Sequence, residues 1–212
     1  MTIALHAFDT PNGRKISVAL EEMGLPYEVH VVDITKGEQH APEFVAISPN
    51  HKIPAIVDPD GPDGRPVSVF ESGAILIYLG EKTRRFWPSE PLPHIACLEW
   101  LMFQMGSFGP APGQVHHFVA LANEDDRRYG LERFQAETRR LYAVMNARLA
   151  NHAYFAGADI TIADFAILGW AWRHARHRVD LDDYPNVRRW YDALMARPAV
   201  ARGFAVPLRR TA

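Results

Sequence analysis

The chain opens with a short apolar run, TIALHAF, and then changes period. In PNGRKISVALEEMG the apolar positions Ile16, Leu20 and Met23 share one helical face with Ala19 beside them, while Arg14, Lys15, Glu21 and Glu22 fall largely off it. Thr10 and Pro11 supply the start of this helix, a capping hydroxyl followed by a residue that needs no amide donor, and Gly24 supplies its stop. A second apolar run, YEVHVVDI, completes a βαβ opening. Further on, IPAIVD and VSVF flank the turn-rich PDGPDGRP, which predicts a hairpin, and ESGAILIYLGEKT predicts a helix with Ser72 as its cap.

From RRFWPSEPLP onward the pattern is helical and no run reads as a strand. HIACLEWLMFQMG places Cys97, Leu101 and Met105 on one face with Trp100 alongside, and LERFQAETRRLYAVMNARLA does the same for Phe134, Leu141, Met145 and Leu149. In DITIADFAILGWAW, Thr161 stands three residues before Asp164, a capping-box spacing with Ile160 as staple, and a buried helix follows. The closing VPLRRTA reads as a tail or surface arm. The order βαβ then ββα predicts an α/β, thioredoxin-like domain over residues 1–86, and the helical remainder predicts an all-α domain over 93–212.

Composition narrows the chemistry. A formal net charge of −2 with both signs scattered gives no field for nucleic acid. No apolar run approaches the roughly 20 residues that span a bilayer, and the opening lacks the basic start of a leader, so a cytoplasmic protein without a membrane or nucleic-acid partner is expected. The single cysteine, Cys97, excludes an internal disulfide and a CxxC pair, and its place on an apolar helical face marks it as core. Any sulfur chemistry must use sulfur brought by a ligand. Among ten histidines, His116 and His117 are adjacent and diverge, while His174 and His177 share a helix face without a third ligand, so no metal is expected. Arg173, Arg176 and Arg178 read as charges complementing a helix end, and no GxxxxGK loop occurs.

Three places could do more than shape the backbone. Thr10 and Asn12 stand at a helix N-terminus, where partial positive charge and spare amides favour an anion, a thiolate included; capping alone also accounts for Thr10. Ile53-Pro54 interrupts regular pairing at a strand start, and a cis bond there would turn the Ile53 backbone toward an extended ligand, although an edge-strand proline is the plainer reading. Lys52 beside it is, alone, a solvated charge. Glu71 and Ser72 lie where a strand meets a helix whose first amides could hold a carboxylate; capping explains Ser72 and does not demand Glu71.

These three places, in this order ahead of a helical half, make the chain resemble the cytosolic glutathione transferase superfamily over nearly its full length. TPNGRKI, ISPNHKIPAIVD, FESGAILIYLGEKT and WLMFQMGSFGPAPGQVHHF resemble its bacterial Nu class, the disulfide-bond oxidoreductase type related to fungal nitrogen-regulator prion proteins. The resemblance implies a thioredoxin-like domain carrying glutathione as cosubstrate, a helical domain, a homodimer, and no metal. It implies that Thr10 and Asn12 bond the glutathione sulfur, that Ile53 before a cis-Pro54 pairs with its cysteinyl part, and that Glu71 and Ser72 hold its γ-glutamyl end. By the same resemblance Gln39 and Lys52 contact other polar groups of the tripeptide, and Arg133 contacts a second glutathione. The implied activity is glutathione-dependent reduction of small-molecule disulfides by two bound glutathiones or glutathione disulfide, with weak transferase and peroxidase side activities. Conventional conjugation to electrophiles and a non-catalytic glutathione-binding regulator are the alternatives. His40 and His51 depart from the pattern at the rim of the implied site.

Overall fold

The computed structural model describes residues 1–206 and 208. Its contacts form two compact units, one of Met1–Arg85 with the segment from Ala196 onward, the other of Phe86–Met195. The last helix therefore belongs with the first unit, whereas the sequence pattern assigned everything over 93–212 to the helical one. Part of the VPLRRTA stretch, residues 207 and 209–212, lies outside the described residues. Leu208 within it is only 1% exposed, so at that point the stretch is packed and is not a free arm.

In the first unit β1 (Ile3–Ala7), α1 (Pro11–Met23) and β2 (Tyr27–Val31) form the expected βαβ unit, with β1 and β2 parallel. β3 (Ala55–Asp58) and β4 (Val67–Phe70) form the hairpin, and the sheet order is β2-β1-β3-β4. A short α2 (Pro42–Val45) sets Phe44 into a small core with Val32 and Ala55, against which Ile47 and Ile53 pack. α3 (Ser72–Thr83) follows β4 directly.

α1 buries Ile16, Leu20 and Met23 as its period requires, each fully buried aliphatic side chain contributing about 1.5–3 kcal/mol. Gly24 ends it in the left-handed conformation at φ 68°, where its missing Cβ costs nothing. The polar side of α1 is not solvated as expected: Arg14, Lys15 and Glu22 are buried too. The cause lies far along the chain. α1 packs against α3 and also against the C-terminal helix of residues 198–205, where a Cβ on Gly203 would stand 2.6 Å from Val18 Cα. Arg14 answers that burial by donating to the Gly203 and Val206 carbonyls and pairing with Asp9, and Glu22 by a two-pronged pair with Arg197 at 2.6 and 2.7 Å.

The second unit is helical: α4 (Pro91–Phe103), α5 (Pro110–Ala120), α6 (Glu124–Leu149), α7 (Ile162–Ala171) and α8 (Pro185–Met195), with α9 (Pro198–Ala205) returning to the first unit. A π-helical turn, Gln104–Phe108, joins α4 to α5 and drives Phe108 into a core with Tyr142, their rings 5.1 Å apart edge to face. All of α7 except Trp170 is buried, and the capping box at its start is present. Asp164 is fully buried and accepts from the Thr161 and Phe155 amides, the Thr161 hydroxyl and Trp190 Nε1, at 2.8 to 3.1 Å. Among the described residues no helix is long and apolar enough to cross a membrane.

Candidate functional site

Sheet register brings the three sequence-marked places to one end of the first unit. His6 of β1 pairs with Ala55 of β3, and Ala55 pairs with Phe70 of β4. Thr10 lies four residues beyond that row, past the end of β1, Ile53 lies two residues before it, ahead of β3, and Glu71 one residue after it, just past β4.

Thr10 caps α1 as its sequence predicts. Its backbone is extended (φ −132°, ψ 160°), its Oγ1 accepts from the Gly13 amide at 3.2 Å, and Pro11 occupies the first helical position. Because Oγ1 accepts from the helix, the hydroxyl proton is the part Thr10 can turn outward, as a donor to an anion beside the positive end of α1. Asn12 lies half-buried on the first turn. The Asp9–Arg14 pair at 2.8 Å ties this turn to the helix it starts.

The Ile53-Pro54 bond is cis, with Pro54 buried and Ile53 half-buried ahead of the first paired residue of β3. The loop before it is braced locally: the Ser48 hydroxyl donates to the Lys52 carbonyl at 2.8 Å, and the His51 amide donates to the Ser48 carbonyl at 2.9 Å. Lys52 is exposed at its rim.

At the third place the cap differs from expectation. Glu71, not Ser72, takes the N-cap position of α3, at φ 66° and ψ 117°, and Ser72 becomes the first helical residue. Positive φ in a non-glycine residue is uncommon and strained, and such residues gather at functional sites. Asn50 Nδ2 donates to Glu71 Oε1 at 3.1 Å, tying the loop before Pro54 to this turn.

Sequence reasoning missed Lys15. It is 1% exposed, and its Nζ donates to Ser72 Oγ at 3.1 Å, joining α1 to the start of α3. Burial pushes its pKa down to about 7, against the opposing pull of the Glu71 carboxylate. The only available signal was a lysine one position before the apolar face of a helix that is apolar on neighbouring faces too, at Val18 and Ala19.

Around the rim, Gln39 Nε2 lies 3.3 Å from His40 Nε2, and His40 Nδ1 lies 3.1 Å from His51 Nδ1. Gln39 Oε1 is buried, without a partner among the described residues. Arg133 is exposed on α6, in the other unit, beside Phe134, Ala136, Glu137 and Arg140 in a shallow pocket.

Cys97 is fully buried, and burial raises its thiol pKa, which disfavours the thiolate. His116 and His117 diverge, His116 stacking on His177 at 4.9 Å while His117 faces outward. His174 and His177 lie in turns beyond α7 and not on one helix face: His174 Nδ1 contacts the Val179 carbonyl, and His177 Nδ1 contacts the Tyr142 hydroxyl. Arg173 lies over the Trp172 ring at 3.8 Å. Among the described residues no group of three or more His, Cys, Asp or Glu is arranged to hold a metal ion.

Residues 10–82 match the family described as glutathione S-transferase, N-terminal domain, and residues 113–198 match glutathione S-transferase, C-terminal domain. The chain is 47% identical over 201 residues to the disulfide-bond oxidoreductase YfcG of Escherichia coli, covering 94% of this chain and 93% of that protein. It superposes with a TM-score of 0.91 and 41% identity on a Burkholderia graminis glutathione transferase holding two glutathione molecules per subunit, covering 99% of this chain and 90% of that one. A Pseudomonas putida glutathione transferase with one glutathione disulfide bound per subunit gives a TM-score of 0.91 at 40% identity, covering 97% of this chain and 92% of that one.

Proposed function

The chain belongs to the glutathione S-transferase family, and from that premise we propose that it is a glutathione-dependent disulfide-bond oxidoreductase working with two bound glutathiones. The observation that carries this reading is the location of sulfur. The protein's one thiol, Cys97, is sealed in the helical unit, while the motif at the N-terminus of α1 offers the Thr10 hydroxyl and no protein sulfur. The reacting sulfurs then belong to the ligands. The relatives holding two glutathiones or glutathione disulfide support the same reading.

In this mechanism one glutathione thiol gives its proton to solvent, its thiolate accepting hydrogen bonds from Thr10 and Asn12 beside the positive end of α1. It attacks one sulfur of the substrate disulfide. The S–S bond breaks, a mixed disulfide forms, and the departing thiolate takes up a proton. The second glutathione thiolate attacks the glutathione sulfur of that mixed disulfide, releasing the second substrate thiol and glutathione disulfide. Two glutathione thiols are oxidised and one disulfide is reduced. The protein positions the sulfurs and lowers a thiol pKa, and forms no covalent bond.

Ile53 offers its backbone to the cysteinyl part of glutathione, Glu71 and Ser72 take the γ-glutamyl end, and Gln39 and Lys52 take remaining polar groups. Arg133, on the strength of the motif around it, is the contact assigned to the second glutathione. The working form proposed is a cytoplasmic homodimer. The test compares glutathione-dependent reduction of 2-hydroxyethyl disulfide with conjugation to 1-chloro-2,4-dinitrobenzene by the same preparation. Reduction well above conjugation is expected; conjugation alone would make the protein an ordinary transferase, and failure to bind reduced or oxidised glutathione would remove both enzymatic readings.

A further inference from the structure

We propose that His51 determines specificity for the glycyl end of glutathione: aimed by a hydrogen-bond relay from Gln39 through His40, it joins Lys52 in donating to the glycyl carboxylate. This role rests on the glutathione reading above, and it falls to the two histidines that depart from the family pattern at the rim. Both stand exposed in the first unit.

An inventory of protons gives the relay its direction. His40 Nδ1 and His51 Nδ1 lie 3.1 Å apart while the ring centroids lie 5.3 Å apart, so the rings meet nitrogen to nitrogen and not face to face. Such a contact needs a proton on one nitrogen and a lone pair on the other. Gln39 decides which. Its Nε2 stands 3.3 Å from His40 Nε2, and an amide nitrogen only donates. The opposite setting of that amide would bury its N–H groups where Oε1 now lies without a partner among the described residues, and an orphaned N–H is the rarer arrangement in proteins. His40 therefore accepts at Nε2, carries its proton on Nδ1 in the neutral form, and donates it to His51 Nδ1. His51 is left with its proton on Nε2, the nitrogen turned away from His40. One N–H of Gln39 goes to the relay, and the other remains for the contact assigned to it above.

The backbone holds the far end of the relay in place. His51 stands at φ 55°, a left-handed conformation that histidine enters more readily than most residues, and such positions gather at functional sites. Its amide donates to the Ser48 carbonyl at 2.9 Å, the Ser48 hydroxyl donates to the Lys52 carbonyl at 2.8 Å, and Asn50 ties the loop to Glu71. The exposed Lys52 ammonium has no ion pair or hydrogen bond among the described residues. An oriented N–H and an unpaired positive charge thus immediately precede Ile53. A glutathione paired at its cysteinyl part with Ile53, its γ-glutamyl end at Glu71 and Ser72, has one charged group left, the carboxylate of glycine. These two donors match it.

The experiment compares calorimetric Kd values for S-methylglutathione and for its glycyl amide, in which a neutral group of similar shape replaces the carboxylate. Wild-type protein should prefer the carboxylate ligand about tenfold or more. His51→Gly, which the left-handed backbone accommodates, should reduce that preference about 3–10-fold by weakening the carboxylate ligand. His40→Phe keeps a ring but removes the relay, and should reduce the preference about 2–5-fold. A loop merely loosened by substitution weakens both ligands alike and leaves the ratio unchanged. If His51→Gly fails to fold, His51→Asn, suited to the same backbone conformation, reads the same ratio. Wild-type protein that binds the two ligands equally overturns the inference, as does a wild-type ratio in the folded His51 variant. A ratio lowered by the His51 variant and unchanged by His40→Phe overturns the relay. Wild-type protein that binds neither ligand removes the functional reading, and the inference with it.

Discussion

Lys15 in the first unit and Asp164 in the second are both charged side chains closed off from water, at 1% and 0% exposure, and the protein treats them differently. Asp164 is met by four donors: two amides, a hydroxyl and an indole N–H. It knits the start of α7 to α8 and to the Phe155 loop, all within the helical unit, and its work is architectural. Lys15 sits under the serine that opens α3, and burial brings its pKa to about 7; burial also raises the pKa of Asp164, against the pull of its four donors. A buried charge with a full set of partners organises a fold. Burial acts against the charge of both; they differ in place, Asp164 between elements of the helical unit and Lys15 beside the turn proposed to hold ligand.

The largest expected effect breaks the architectural side of this contrast. Asp164→Ala leaves two amides, an indole N–H and a hydroxyl without their acceptor, and should lower stability by about 3–5 kcal/mol, read from urea denaturation. Next comes Thr10→Ala. Disulfide reduction should fall about 10–100-fold in a protein that has lost only the ~0.5–2 kcal/mol of a helix cap; turnover unchanged in the folded variant would make Thr10 a cap and nothing more.

The contrast also shows what the chain's local pattern could and could not reveal. The cap at Thr10, the stop at Gly24, the hairpin around PDGPDG and the Thr161–Asp164 box are decided within a few residues, and each is found where the pattern puts it. Register then carries three separate short motifs to one end of the sheet. The burial of Lys15 is of another kind: it accompanies the packing of α1 against α3, whose Ser72 it meets 57 residues downstream, while α9 closes over α1 at Val18 through Gly203. The same distant packing moved the last helix out of the helical domain expected over 93–212. Helical period correctly placed Lys15 off the apolar face of α1; it could not show that another helix covers that side. Likewise Ser72 looked like the cap because serine is a good one, and only the backbone at Glu71 shows that the cap lies one residue earlier.

A smaller effect concerns pH. Burial holds the pKa of His116 down at about 4 and that of His177 far below its usual value, with Arg173 and Arg176 adding to both shifts. In the unfolded chain both protonate near pH 6.5, so the unfolded state binds more protons below that point and stability falls as pH falls. Between pH 7 and 5 each should remove about 1–2 kcal/mol, and His177→Phe should flatten the slope measured by denaturation at the two pH values. A slope unchanged in that variant would place the acid sensitivity elsewhere.

The smallest effect is the most pointed for the comparison. Lys15→Met should change folding stability by no more than about 1 kcal/mol, or raise it, because an apolar chain of similar length replaces a charge that burial disfavours. A loss comparable to that of Asp164→Ala would mean that the two buried charges do the same work.

The central claim, that both reacting sulfurs are brought by glutathione, is tested most directly by turnover of 2-hydroxyethyl disulfide in a Cys97→Ala protein. The account predicts the wild-type rate, with one glutathione disulfide formed for each substrate disulfide reduced. A folded Cys97→Ala protein that no longer reduces the disulfide would contradict it.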